Sequence, residues 1–252
     1  MKQTILITGY TGYIGSQIYK ELDKKKYNVV GINSKNVDIS NREQTINFFK
    51  NTKIDYIIHT AAKLKGTYEE FININYNGTI NIVDGAIMFG CKGIIFISTL
   101  DTYTGSDYGK SKTLAERYLI KNNNKIKSII LRFPGVFNKE RTNGVIYSFI
   151  QLAKQNAEIR CHRIKIRVLY LKDAVESLLY FLEKIQITNK NHMLYEITSN
   201  TIPLKKLAKI IIKETKSKSR IIPDPVIVKK IKFPKNKITL TPIEESIKEM
   251  VN

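Results

Sequence analysis

Tyr108 and Lys112 are four residues apart, a spacing that puts both on one face of a helix. An unperturbed phenol titrates at about 10 and is a poor base at neutral pH. A neighbouring ammonium favours the phenolate and lowers that value. A phenol tuned in this way can exchange a proton with a substrate hydroxyl or carbonyl. Thr99 closes the run Phe96-Ile97-Ser98-Thr99, nine residues before Tyr108, where its hydroxyl can hold the same substrate oxygen. Thr99, Tyr108 and Lys112 are therefore the candidate catalytic set.

A second signal lies near the N-terminus, in Thr8-Gly9-Tyr10-Thr11-Gly12-Tyr13-Ile14-Gly15, between an apolar run and an amphipathic stretch. Glycines at this GxxGxxG spacing permit a tight turn and let the backbone approach a pyrophosphate at a helix N-terminus. Gly9, Thr11, Gly12, Tyr13, Ile14 and Gly15 are thus expected to bind a dinucleotide. An oxidised nicotinamide beside Tyr108 would lower the phenol pKa further.

These motifs, in this order, resemble the short-chain dehydrogenase/reductase family, specifically its extended branch that modifies nucleotide-linked sugars. Tyr108 through Glu116 matches the branch's YGxSKxxAE pattern. Val37-Asp38-Ile39 resembles the segment that meets the adenine ring, which implies cofactor contacts at Asp38 and Ile39. Asp55 through Ala62 resembles the strand-ending HxAA segment and Asn75-Tyr76-Asn77-Gly78-Thr79 the NxxGT motif. They imply contacts at Ala61, Ala62, Lys63 and Asn75, with His59 a hydrogen-bonded structural residue. Leu131 through Phe137 resembles the segment that meets the nicotinamide amide, implying Phe133, Pro134 and Val136. Tyr108 and Lys112 would touch the cofactor as well as the substrate. Asp101, Asn138 and Arg167 are the implied substrate contacts. Arg167, in Arg167 through Ala174, has two open readings, a substrate diphosphate contact or the charged outer face of an edge strand. Thr241 through Ile247 resembles the family's closing helix.

The second strand runs out into Asn33-Ser34-Lys35, where NAD-selective relatives carry a carboxylate for the ribose hydroxyls. An amide, a hydroxyl and an ammonium there accept a 2′-phosphate that a carboxylate would repel, so NADP is expected over NAD. Relatives that dehydrate sugars follow the threonine with an Asp–Glu pair, but here Leu100 and Asp101 follow Thr99. Leucine donates no proton and one carboxylate is not a pair, so water elimination is disfavoured. The short Val37–Ser40 connection and Lys63-Leu64-Lys65-Gly66 resemble 4-keto-sugar reductases. The resemblance therefore implies an NAD(P)-dependent oxidoreductase that reduces a keto group of a nucleotide-linked sugar. One alternative is an epimerase with tightly bound NAD. The other is a non-catalytic dinucleotide-binding protein, against which the intact Tyr108 and Lys112 argue.

Such a site needs elements to carry it. Apolar runs at Thr4–Thr8, Asn28–Ile32, Tyr56–His59, Gly93–Ser98 and Ser128–Arg132 read as strands. Amphipathic stretches alternate with them at Ile14–Leu22, Asn41–Lys50, Tyr68–Phe89 and Asp107–Lys121. Alternation of this kind is the signature of βαβ units on a parallel sheet. Later, Val145–Lys154, Asp173–Lys184, Pro203–Lys213 and Pro242–Met250 read as helices, with Ile164–Leu169 a basic strand. Pro203 is expected at the first helical position, where a missing N–H costs nothing. The expected class is α/β. A Rossmann-type doubly wound parallel sheet occupies 1–138, and a smaller substrate-binding region occupies 139–252, with some segments returning to the core.

Composition adds bounds. The chain has 252 residues, and 42 Lys plus Arg against 22 Asp plus Glu give a net charge of +20. That excess is mostly lysine, concentrated at Lys24–Lys26, Arg160–Arg167, Lys213–Arg220 and Lys229–Lys237, with no aromatic-rich basic motif. Nucleic acid is therefore not the expected partner. Two cysteines exclude a disulfide framework, and no metal site is expected. No apolar run reaches the roughly 18 residues of a membrane helix, so a cytoplasmic protein without a membrane partner is expected. The oligomeric state is left open, with a homodimer as one candidate.

Overall fold

The computed structural model describes residues 2–197, 201–224 and 240–251. The basic stretch Lys229–Lys237 lies outside the described residues. The chain divides into two compact units, one of Met1–Phe133 with Val175–Glu196, the other of Pro134–Ala174 with Ile197–Asn252.

The first unit is built on β1 (Gln3–Thr8), β2 (Tyr27–Ile32), β3 (Tyr56–His59), β4 (Gly93–Thr99) and β5 (Lys127–Phe133). Ile5, Leu6, Ile7, Ile57, Ile58 and Ile94 are all buried. Continuous apolar runs of this kind are what a parallel sheet covered on both faces requires. Between the strands lie α1 (Tyr13–Glu21), α2 (Arg42–Asn51), α3 (Tyr68–Phe71), α4 (Gly78–Met88) and α5 (Asp107–Lys121). Their starts are written in capping residues. Asn41 accepts from the Gln44 amide at 3.0 Å and Ser106 from the Gly109 amide at 3.1 Å, while Thr67 and Glu70 form a reciprocal capping box.

Tyr68–Phe89 is not the single helix that its periodicity predicts. A six-residue π-helix, Ile72–Asn77, interrupts it between α3 and α4. The buried Asn75 side chain accounts for the extra residue. Its Oδ1 accepts from the Lys63 amide at 2.7 Å, and its Nδ2 donates to the Lys63 carbonyl and to Ser111 Oγ. Those bonds hold a backbone register that an uninterrupted α-helix would rotate away.

The second unit begins with β6 (Gly135–Phe137), α6 (Val145–Lys154), β7 (Ile159–His162) and β8 (Lys165–Tyr170). The helix α7 (Leu171–Ile187) follows, and then β9 (His192–Glu196), which belongs to the first unit. The second unit is completed by β10 (Thr201–Pro203), α8 (Leu204–Glu214), β11 (Ile221–Asp224) and α9 (Ile243–Val251). Its core gathers Phe137, Ile146, Phe149, Leu207, Ile211 and Ile247. β8 lies between β10 and β6, so Arg167, paired with Thr201, is not on an edge strand. The edge reading of Arg167 is thereby overturned. Pro203 ends β10 and precedes α8 as its N-cap, one position earlier than expected. Among the described residues no helix is long and apolar enough to cross a membrane.

The large sheet has the order β2-β1-β3-β4-β5-β9, every pair parallel. The direction of strand addition reverses between β1 and β3, where Thr8 pairs with His59 at the strands' carboxyl ends. A crevice outside such a reversal is the ligand position in open α/β sheets.

His59 pins this switch point from within. Thr79 Oγ1 gives its proton to the Asn75 carbonyl, so it accepts from His59 Nε2 at 3.0 Å. Nδ1 then accepts from Thr8 Oγ1 at 2.6 Å, which assigns the neutral tautomer from its partners. Burial, and secondarily the charge of Lys112, lowers the His59 pKa from 6.5 to about 3. A histidine whose folded pKa is lowered contributes stability in full above 6.5 and loses it as pH falls toward 3. Unfolding free energy should therefore fall between pH 6.5 and about 5, above most carboxylate titration. His59→Gln should flatten that slope in denaturant titrations. An unchanged slope in the variant would remove His59 as the cause.

Candidate active site

The glycine loop is shaped by backbone contact. A Cβ at Gly15 would stand 2.2 Å from the Gly9 carbonyl oxygen and 2.7 Å from Thr60 Oγ1. Gly9 has φ +66, and a Cβ there would meet the Ala61 backbone at 2.8 Å. The loop thus folds back on the residues that follow β3. No side chain caps α1 at Gly12, and no acidic residue occupies its first turn. Its leading amides and the positive end of its dipole are left for an anion, and a dinucleotide pyrophosphate fits that chemistry.

Around the cradle, Ala61 donates its amide to Thr8 Oγ1 at 3.2 Å, and Ala62 is half-buried beside it. Lys63 pairs with Glu70 at 2.6 Å. Beyond β2, Asn33 organises the turn. Its Nδ2 donates to Thr11 Oγ1 at 3.2 Å and its Oδ1 accepts from the Lys35 amide at 2.9 Å. Ser34 and Lys35 are exposed next to it. Asp38 accepts from the Ser40 amide and hydroxyl, and the buried Ile39 packs against Gly78.

The candidate catalytic residues come from the end of β4 and the first turns of α5. Thr99 Oγ1 accepts from the Asp101 amide at 3.1 Å and so caps the 3-10 turn Leu100–Tyr103. Gly109 presses on that turn, since a Cβ there would lie 2.1 Å from the Asp101 carbonyl oxygen. Tyr108 is half-buried, with its ring centroid 5.9 Å from that of Phe71. Lys112 is 2% exposed, its Nζ 3.9 Å from the Phe96 ring centroid. It has no hydrogen-bond acceptor among the described residues. Glu116, one turn on, is engaged by Arg132 and Ser98.

The expected lowering of the Tyr108 phenol is reversed in the chain by itself. Desolvation and then the Asp101 carboxylate push it well above its ordinary value. Desolvation lowers Lys112 from 10.5 to about 7, with Glu116 opposing. Burial therefore disfavours both charged forms where the sequence argument counted only their attraction. Asp101 is also raised, by desolvation, against the pull of the Thr99 hydrogen bond.

Phe133 ends the first stretch of the first unit, whereas Pro134, Val136, Asn138 and Arg167 belong to the second. Val136 is buried in β6, and Asn138 accepts from the Glu140 amide at 3.1 Å. Sequence reasoning missed the buried ion cluster of Glu116, Arg132 and Glu196. Glu116 and Arg132 both lie within the segments that resemble the family, and a charged residue within an apolar strand was the available signal.

A buried ammonium with no carboxylate bonded to it costs stability. Lys112→Met keeps the stem and removes the charge, so it should stabilise the ligand-free chain by about 1–3 kcal/mol near pH 7. The gap should narrow as pH rises from 7 toward 10.5, because neutral Lys112 is then cheaper to bury. Chemical denaturation at several pH values measures it, and a destabilised variant would refute the argument.

Residues 5–197 match the family described as the NAD dependent epimerase/dehydratase family. A mouse dTDP-D-glucose 4,6-dehydratase is 26% identical over 268 residues, covering 85% of this chain and 74% of its own. Other curated relatives are spanned over 52% to 63% of their length. The UDP-glucose 4-epimerase of Thermotoga maritima superposes with TM-score 0.80 at 20% identity, covering 99% of this chain and 97% of its own. The dTDP-4-dehydrorhamnose reductase of Bacillus anthracis, solved in complex with NADP, gives TM-score 0.76 at 22% identity, covering 89% and 84%. With the family match spanning most of the chain, this protein belongs to the NAD dependent epimerase/dehydratase family.

Proposed function

We propose that this chain reduces a keto group on the sugar of a nucleotide-linked substrate, using NADPH in preference to NADH. The observation that carries the reading is Lys112, a buried cation without an acceptor, on the same helix as a half-buried Tyr108. A protein that only stored a dinucleotide could use the ammonium but would need no titratable phenol beside it, and the two together are what a proton transfer requires. When bound, the dinucleotide supplies a hydride to the sugar carbon. Tyr108 gives its phenolic proton to the oxygen of that carbon, and Thr99 donates to the same oxygen. Lys112 would hold the bound dinucleotide through its ribose, and that contact would keep the ammonium protonated and so offset the burial that raises the phenol. Leu100 follows Thr99, and Asp101 is the one carboxylate of the Leu100–Tyr103 turn, which disfavours dehydration. Asn138 and Arg167 are the proposed contacts to the substrate, Arg167 through its diphosphate.

The cofactor preference rests on the turn after β2. Asn33 is committed to Thr11 and to the turn itself, leaving the exposed Ser34 and Lys35 to meet a 2′-phosphate.

Tyr108→Phe removes only the titrating oxygen. Turnover should drop about a thousandfold while dinucleotide binding persists, and near-normal turnover would end the proposed role. Lys112→Met should weaken dinucleotide binding as well as turnover, despite its gain in stability. With a 4-keto nucleotide sugar, reduced cofactor should be consumed one for one, monitored by absorbance. A change of sugar configuration without net consumption would replace the reductase reading with an epimerase. Dissociation constants for the two reduced cofactors test the preference, and equal or tighter NADH binding reverses it.

A further inference from the structure

Thr99 can serve a substrate oxygen only if its hydroxyl points the right way. Thr99 Oγ1 accepts from the Asp101 amide and its hydroxyl also hydrogen-bonds the Asp101 carboxylate, so the position of Asp101 sets the direction of the Thr99 hydroxyl. The placement of that amide depends on the Leu100–Tyr103 turn. Leu100 is buried at the near end, and Thr102 and Thr104 bond the turn's own backbone at the Thr99 and Asp101 carbonyls, so Tyr103 is the turn's side chain that reaches β5 and β9. At 41% exposure, Tyr103 is not fixed by burial. Bonds fix it. Its phenol donates to Glu196 Oε1 and accepts from Arg132 Nη1 at 2.7 Å, with the guanidinium 4.9 Å from its ring centroid.

The socket beneath is rigid. Arg132 makes a two-pronged pair with Glu116, Nε to Oε1 at 2.9 Å and Nη2 to Oε2 at 2.6 Å. Glu116 also accepts from Ser98 Oγ on β4, and Arg132 lies 3.6 Å from Glu196 on β9. Both carboxylates are only 2% exposed. Glu196 Oε2 has no hydrogen-bond partner among the described residues, which makes the phenol a principal ligand of that carboxylate. Buried networks of this kind have few alternative arrangements. Glu116 also belongs to α5, so the socket that seats Tyr103 is built partly from the helix that carries Tyr108 and Lys112.

We propose that Tyr103 is a positioning residue: seated in the Glu116–Arg132–Glu196 socket, it fixes the Leu100–Tyr103 turn and so aims the Thr99 hydroxyl at the substrate oxygen. The inference rests on the reductase reading of the same site. Without the phenol the turn loses its far anchor, and Thr99 no longer receives a fixed amide. The Asp101 carboxylate, which also hydrogen-bonds Thr99, then shifts with the turn and no longer holds the hydroxyl in one direction.

Tyr103→Phe keeps the ring and removes only the hydroxyl. Amide hydrogens of peptides covering 100–104 should exchange about tenfold faster, with β1 to β5 unaffected. Turnover of a 4-keto nucleotide sugar should fall about tenfold in kcat, and the dinucleotide Kd should stay unchanged. In a Thr99→Ala background the same substitution should cost nothing more. Three outcomes overturn the proposal: unchanged exchange, faster exchange with normal kcat, or losses that multiply in the double variant. If the unaltered protein turns over no nucleotide sugar, the reductase reading fails instead. The exchange measurement then decides by itself whether Tyr103 holds the turn.

Discussion

The burial of one ammonium group, that of Lys112, sets terms for everything around it. Water is replaced by the face of Phe96, and the nearest carboxylate, Glu116, is already bound to Arg132 and Ser98. Another charge close by would be repelled or would neutralise it. His59 is held neutral between two threonine hydroxyls, chiefly by its own burial and secondarily by this charge. The group is costly to the fold and available to a ligand. Functional sites often trade stability in this way.

The scaffold that tolerates this cost is stiff where it matters. Asn75 ties the backbone after β3 to the π-helix and to α5, and the Glu116–Arg132 pair ties α5 to β5. Glycines then allow the closest approaches. Gly9 and Gly15 admit the loop over the strand ends, and Gly109 admits the Asp101 turn against α5. A methyl group at any of these positions would meet backbone rather than a side chain able to move.

Much of this was legible in the sequence because local chemistry and global fold agree. The five apolar runs became β1 to β5 with their order of alternation intact, and Asn41, Thr67 and Ser106 sit where helices begin. What escaped was set by distant partners. The π-helix is a single local widening inside a helical stretch, and Asn75 holds it through Lys63 and Ser111, partners that helical spacing does not report. β9 is a short edge strand of mixed composition, His-Met-Leu-Tyr-Glu, recognisable only once it pairs with β5. The central place of β8 came from β10, more than thirty residues later. The protonation of Tyr108 went the other way because spacing reports proximity and is silent about desolvation.

The first unit is made from two separate stretches of chain, the second supplying β9. A ribosome delivers β5 long before it delivers Val175–Glu196. Throughout that interval β5 has an unpaired edge, and Arg132 has one carboxylate instead of two. The nascent protein must keep an apolar strand, Ser128-Ile129-Ile130-Leu131, from pairing with neighbouring chains until its own partner emerges. The order of synthesis thus makes the completion of this sheet wait on Val175–Glu196, and leaves an apolar edge open to misassembly until that stretch emerges.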